Sequence, residues 1–380
     1  MMGRRSPRYN EFVLGGWWRR GALATLVASM CCLTFAAPVC ADETFAVGPA
    51  PILNLHVPRG QVTIQTWDRP QVLISSEKPV NVRHLDPGEV DASIPKELQI
   101  ASDLIQTEHG PVTLPAEPFV MPQLPGGGHD EIMARGSGRM TITIPRGTAM
   151  VMVQQRAGHL TIANYRGVFV AHARAAEVSL NNVSGTGFVE SLRGQIVATN
   201  SSFDRLRVRT ATGDMLFQGC SSQQIQATSA YGSIVYDNGD FQPGLARFES
   251  EHGNVALGVR GGAQIGAHSG SGQVVSNFAD DAQVRGDPTT KQATVGGGGP
   301  VVTATSRNGS VYLYSGSMNE NPRVRQELNG STLLPTHYPN EIAPNAAPSP
   351  VPPPRAGSPA RPPNPRAFVR TQSTRPPDPI

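Results

Sequence analysis

Glycines recur in this chain about every 19 residues, each inside the same short phrase: "RTATGDMLF", "TSAYGSIVY", "ESEHGNVAL", "HSGSGQVVS", "TSRNGSVYL". Gly194, Gly213, Gly232, Gly253, Gly272 and Gly309 follow one another at 19, 19, 21, 19 and 37 residues, the last interval counting as two steps. Gly158 lies 36 residues before Gly194, with Ala176 at the midpoint. A fixed period of this length marks a repeat architecture in which each period is one structural unit.

The flanks of each glycine alternate strictly. Seven and five residues before it stand Leu206 and Val208, Ile225 and Ala227, Ala246 and Phe248, Ile265 and Ala267, Val302 and Ala304. The intervening positions are mostly polar: Arg207, Arg209, Gln226, Thr228, Arg247, Glu249, His268, Thr303 and Thr305. Period two means strand, with one face inward and one outward. Past the glycine, apolar residues return two and four positions on, as in Met215 and Phe217, Val255 and Leu257, Val311 and Leu313. Each unit therefore holds two short strands joined at a glycine corner, and positive φ is the expected reason for the glycine. Ser191, Thr210, Ser229, Ser250, Ser269 and Ser306 stand three before the glycines, in phase with the core, and are expected to point inward and to bond backbone. The residue after the glycine varies among Gln, Asp, Ser and Asn, so it is expected to matter little.

One such unit cannot bury its apolar face, but stacked units cover one another. The expected fold is all-β: a single-chain parallel β-solenoid (β-helix) with about 19-residue coils, a long insertion and disordered tails. An antiparallel meander with hairpins at the glycines is the competing fold, disfavoured because the motif keeps constant polarity. A first turn lies far upstream in "ILNLHVPRGQVTIQTW", with Leu53, Leu55 and Val57 before Gly60 and Val62 and Ile64 after it. Residues 78–138 break the pattern and read as an insertion or long loop over one end or flank, between first strands at 42–77 and repeats at 139–316.

The opening "ILNLHVPRGQVTIQTWDRPQVLIS", then "MTITIPRGTAMVMV", then serial glycine corners resemble a bacterial family of β-strand-repeat proteins described as adhesin-like. The resemblance covers about 45–77 and 138–316. It implies a β-solenoid and an exported location, and it supplies no catalytic residues.

The ends have other characters. Arg4, Arg5, Arg8, Arg19 and Arg20 precede the apolar run "GALATLVASMCCLTFAA", and "VCA" precedes Asp42, so 1–41 reads as a signal peptide, with a retained membrane anchor as the alternative. A C-terminal extension at 317–343 leads into a Pro/Arg-rich tail at 344–380 whose 13 prolines and scarce apolar residues predict disorder. Each end segment, 1–41 and 342–380, carries five Arg and one acid; from a net charge of +3 this leaves the body at −5. A mildly acidic body argues against nucleic-acid binding. Cleavage would leave Cys220 as the sole cysteine, which excludes an intramolecular disulfide; it reads as a small apolar filler at a turn.

Catalytic and cofactor constellations are not evident: there is no metal-binding His pair on a helix, no nucleophile elbow, and no phosphate-cradling glycine loop followed by Lys. His252 and His268 are the best candidates for a metal pair on neighbouring coils, and a weak one. Arg207, Arg209, Arg247, Glu249 and Glu251 form the best outward charged cluster and read as a solvated face. No catalytic, cofactor-binding or metal residues are assigned, and Gly60, Gly158, Gly194, Gly213, Gly232, Gly253, Gly272 and Gly309 are assigned as structural corners. The function expected is that of an exported, non-enzymatic binding or structural module of the cell envelope, its partner an envelope or extracellular polymer such as a glycan or peptidoglycan. A polysaccharide-active β-helix enzyme and a periplasmic part of an envelope-sensing system are the alternatives.

Overall fold

A computed structural model describes residues 41–87, 97–100, 103–107, 110–114, 117–120, 122–124, 128–278 and 282–328. All belong to the unit Ala41–Ile380. The expectations for residues 1–40 and for the Pro/Arg tail lie outside the described residues.

The described chain is nearly all β. Its inward rows form parallel ladders. One row runs Ile132, Leu53, Val151, Phe169, Gly187, Leu206, Ile225, Ala246, Val302, Ile265, each paired in parallel with the next. This pairing fits a parallel β-solenoid and not a meander. Leu206, Val208, Ile225, Phe248, Ile265, Val255 and Leu257 are all buried, as the alternation predicts. The Ser/Thr row is buried too.

At both ends the spatial order departs from the sequence order. The coil 52–67 lies between 131–145 and 150–163, because Ile52–Val57 pairs with both Glu131–Arg135 and the strand starting at Met150. At the other end 301–315 occupies the slot between 245–259 and 263–277, since Val301–Asn308 pairs with Leu245–His252 on one side and Ala263–Ser269 on the other. The 37-residue interval is therefore not two steps outward but one step back. Periodicity could not reveal this, because every coil offers the same inward pattern to either neighbour.

Antiparallel strands close both ends. Gln71–Ser76 and Asn81–Leu85 pair antiparallel with Gly138–Pro145 and Glu131–Arg135, and Ala41–Ala46 pairs with Gln71–Ser76. Thr290–Val295 pairs antiparallel with Ala263–Ser269 and carries Gln283–Gly286. Such strands occupy the N–H and C=O groups that a terminal coil would otherwise present for association.

The glycine corners correct the positive-φ expectation. Gly194, Gly213, Gly272 and Gly309 lie outside the left-handed region, Gly60, Gly232 and Gly253 are extended at φ 157–159°, and of the eight only Gly158, at 119°, lies well inside it. What the eight share is contact: a Cβ at any of them would fall 1.8–2.5 Å from the carbonyl oxygen of the equivalent residue one coil away. The glycines allow backbone to pass over backbone. The left-handed corner is a different one: Asn164, Asn182, Asn200, Gly219 and Asn238 have φ of 50–61°. Asn tolerates this conformation better than other side chains, and Asn182 Nδ2 donates to Asn164 Oδ1 at 2.8 Å.

Two side-chain ladders tie the corners together. The hydroxyls of Ser191, Ser250, Ser306 and Ser269 donate to the carbonyls of Ala176, Gly232, Gly253 and Gly309 on the preceding coil in space. The buried hydroxyls of Thr210 and Ser229 find no hydrogen-bond partner among the described residues, so the expected backbone bonding holds for four of the six. After the glycine, Asp214 accepts from Ser233 N, Ser233 from Asn254 N, Asn254 from Ser310 N and Ser310 from Gln273 N. At Asp214, Ser233, Asn254 and Ser310 the varying residue thus keeps one role, a short side-chain oxygen that accepts from the next coil, which the expectation of a position that matters little did not include.

Two outer layers cover the coils. The segment 78–138, expected as an insertion or long loop, carries strands Asn81–Leu85, Glu97–Ile100, Asp103–Thr107, Gly110–Leu114, Glu117–Val120 and Glu131–Arg135. Phe119 joins Ile52, Met150, Val168, Val170 and Phe188 in a cluster on the outward face, and Val112 and Leu114 cover Leu192, Ala211 and Ala230. On the second strand row, Met318, Val324 and Leu328 cover Leu216, Val235, Ala256 and Tyr312. They belong to the 3-10 helix Met318–Glu320 and the α-helix Pro322–Leu328. Asp237 anchors this layer, its carboxylate accepting from Tyr314 Oη at 3.1 Å, Ser317 Oγ at 3.3 Å and Met318 N at 2.6 Å.

Candidate functional site

The strand alternation that fills the core also lays outward side chains in rows across the coils. Phe188, Arg207, Gln226, Arg247 and Thr303 form one such row and Glu190, Arg209, Thr228, Glu249 and Thr305 the next. The outer layer covers the first members of each row and leaves the later ones accessible.

Under the layer, Arg209 is only 3% and Glu190 only 5% exposed. Arg209 Nε donates to Glu190 Oε2, and His172 Nδ1 lies 3.5 Å from Glu190 Oε1. Phe188 packs beneath the Arg209 guanidinium at 5.8 Å and beside Phe119 at 5.5 Å. Burial pushes the Glu190 carboxyl up, but His172 and the Arg209 guanidinium outweigh it and hold the group below its usual value. The expected solvated face is corrected here, because Arg209 is a buried ion-pair member. A signal was present: the same outward positions one coil earlier carry Phe188 and Leu192, too apolar for an open face.

Beyond the layer's edge two hollows lie in line along strands Ser221–Tyr231 and Leu245–His252. The first, about 370 Å³, is walled by Phe119 and Val120 and floored by Arg205, Arg207, Gln224, Gln226, Leu245 and Arg247. The second, about 280 Å³, is walled by Thr113 and Leu114, with Thr228, Glu249, Glu251, Thr305 and Arg307 on its floor. The two share no lining residue but follow one another along the strands from Gln224 to Ala230, a discontinuous trough of about 20 Å at about 3.3 Å per residue. Arg205 Nε donates to Gln224 Oε1 at 3.3 Å, Arg247 Nε to Glu249 Oε1 at 2.7 Å, and Arg307 Nη1 to Glu251 Oε1 at 2.8 Å. Of the predicted charged cluster, the structure gathers Arg207, Arg247, Glu249 and Glu251 at this trough. Arg247 is exposed as expected, while Arg207, Gln226 and Thr303 are half-buried on its floor and flank. The wall residues Phe119 and Val120, from the segment without a period, carried no sequence signal.

The other candidates are dispersed. His252 and His268 lie on coils separated by 301–315; His252 stacks on Tyr231 at 4.4 Å and His268 Nδ1 lies 3.0 Å from Thr290 Oγ1. Among the described residues no group of three or more His, Cys, Asp or Glu is placed to hold a metal ion. Cys220 is buried in the core, and burial pushes its thiol up to about 12. No described helix is long and apolar enough to cross a membrane.

No curated protein matches the chain. Among solved structures, a proposed cell adhesion protein from Clostridium sporogenes matches at 10% identity with a TM-score of 0.19, over 73% of this chain and 99% of that one, and a likeness that loose carries no argument. The family model described as Toastrack DUF4097 matches residues 120–313, more than half of the chain and most of the repeat array, and the chain belongs to that family.

Proposed function

We propose that this chain is a single-chain parallel β-solenoid exported to the bacterial cell envelope, where it serves as a non-enzymatic, adhesin-like binding module. The observation that carries the reading is the trough, two hollows in line that together span about 20 Å of strand, floored by amides, hydroxyls and charged groups and walled by Phe119, Val120, Thr113 and Leu114. An open channel along rigid strands suits an extended polymer held by many weak contacts. Glu249 and Glu251 are each engaged by an arginine, which favours holding a polymer over cleaving it. Export rests on the basic-then-apolar N-terminal segment.

The test is a binding screen of the purified chain against glycans, peptidoglycan and extracellular-matrix polymers, with each bound polymer afterwards assayed for new reducing ends. Retention of an intact polymer supports the reading, and release of reducing ends from it would replace the reading with a polysaccharide-active enzyme. Fractionation of producing cells tests export, since recovery in the cytoplasmic fraction alone would exclude an envelope role.

A further inference from the structure

We infer that the arginine half of the trough is a subsite for an acidic polysaccharide that carries both a carboxylate and a small apolar substituent such as an acetyl group. The inference rests on the binding-module reading and names the class of polymer.

The two halves of the trough differ in charge. The hollow beside Phe119 is lined by Arg205, Arg207 and Arg247 with no acidic residue, whereas the hollow beside Leu114 is lined by Glu249, Glu251 and Arg307. Arg205 and Arg207 are two residues apart on one strand face, and Arg207 is joined to Arg247 through Gln226 by the strand register. Arg247 is held by Glu249 at the boundary of the two hollows, so the positive lining that meets a ligand is that of Arg205 with the Arg207 guanidinium beside it, a planar fork being matched to a carboxylate through two parallel hydrogen bonds. Gln224 and Gln226 add amide donors and acceptors suited to hydroxyls.

The same hollow is apolar at its rim. Val120 is 59% and Leu245 55% exposed, and Val301, the register partner of Leu245, is 49% exposed. Exposed apolar side chains gathered at one place mark a contact surface rather than a solvated one. An anion site beside such a rim selects for an acidic partner with an apolar group, and the elongated floor selects a chain over a small ion.

The test measures binding of the purified chain to four probes: hyaluronan oligosaccharides (carboxylate and acetamido), polygalacturonate (carboxylate alone), chitin oligosaccharides (acetamido alone) and dextran (neither). Hyaluronan is expected to bind most tightly, with affinity falling as salt rises, and dextran not at all. Arg205→Glu and Arg207→Gln are each expected to weaken hyaluronan at least tenfold, and Val120→Ser with Leu245→Ser to weaken hyaluronan more than polygalacturonate. Far-UV circular dichroism checks folding, with Arg205→Gln as the milder variant. If chitin oligosaccharides or dextran bind as tightly as hyaluronan, or if the arginine variants bind hyaluronan unchanged, the acidic-glycan inference fails while the binding-module reading stands. Inorganic phosphate that displaces hyaluronan at equal concentration would reduce the site to a simple anion site and overturn the inference. If no probe binds and the wider screen is also blank, the binding-module reading itself fails.

Discussion

Replacing Gly232 with alanine tests why the chain repeats its glycine. A Cβ at Gly232 would stand 2.1 Å from Gly213 O and 2.6 Å from Gly213 C, closer than side-chain carbons approach backbone. The obstacle is main chain, so no rotamer relieves it, and the two coils must part by about 1 Å against a strand spacing of about 4.8 Å. That displacement stretches Gly213 N–H to Tyr231 O, a 3.0 Å bond that joins these two coils. Overpacking costs about 1–3 kcal/mol and a weakened hydrogen bond about 1 kcal/mol, so Gly232→Ala is expected to cost about 3 kcal/mol. Gly219 provides the contrast. Its φ is +61° and the nearest atom to a Cβ is Asn200 Oδ1 at 3.1 Å, so its requirement is conformational. Gly219→Ala should cost about 1 kcal/mol. Gly219→Asn should lie within about 0.5 kcal/mol of the native protein, because Asn holds the same conformation at 164, 182, 200 and 238. Urea unfolding followed by far-UV circular dichroism gives all three values. A Gly232→Ala protein as stable as native, or a Gly219→Asn protein less stable than Gly232→Ala, would refute the division between packing corners and left-handed corners.

The remaining predictions concern buried carboxylates and the interleaved coil. Glu190 sits below its usual value of 4.5 in the fold, so its contribution to stability is present above pH 4.5 and is lost as pH falls through the folded value; Glu190→Gln should flatten that part of the stability–pH curve. Arg209→Met, which leaves Glu190 buried without the guanidinium, should cost about 3–5 kcal/mol in urea unfolding, and the double variant Glu190→Gln/Arg209→Met less. Asp237 has the opposite sign: burial raises it above 3.8 against the Met318 amide, Tyr314 and Ser317, so its contribution grows as pH falls through the folded value. Asp237→Asn should remove that slope, and Asp237→Ala should speed protease cleavage between Gly316 and Leu328, because Met318 N–H and Tyr314 O–H lose their acceptor. A chain ended at Gly299 lacks the coil between 245–259 and 263–277, and should melt over a broader range and at lower temperature than one ended at Leu328; equal melts would contradict the interleaved order.

Much of the architecture was legible because strand alternation is a local property. Which of Leu206 and Arg207 faces the core follows from two-residue periodicity and the need to bury apolar surface, and the register agrees. The inward direction of the Ser/Thr row was legible for the same reason, though not which of its hydroxyls find a carbonyl, and the family came from the serial corners and their opening. The chemistry of the corners was only half legible. Glycine at Gly232 was visible, but positive φ and backbone contact demand the same residue, and only coordinates show the carbonyl of Gly213 beneath it. The left-handed Asn series stands at regular spacing but is not legible in the sequence, because its members share no flanking phrase.

By itself, then, the sequence determined the strands of the repeat, their inward faces and the period, but not the outer strands between Glu97 and Val120. The tertiary structure alone decided the order of the coils at the two ends and the burial of Arg209 with Glu190. It also decided the placing of Phe119 and Val120 as the wall of a trough floored by Arg205, Arg207 and Arg247. The reason is that a repeat fixes what each coil needs from a neighbour but not which neighbour supplies it, and an outer layer without a period makes its contacts with residues distant in the chain.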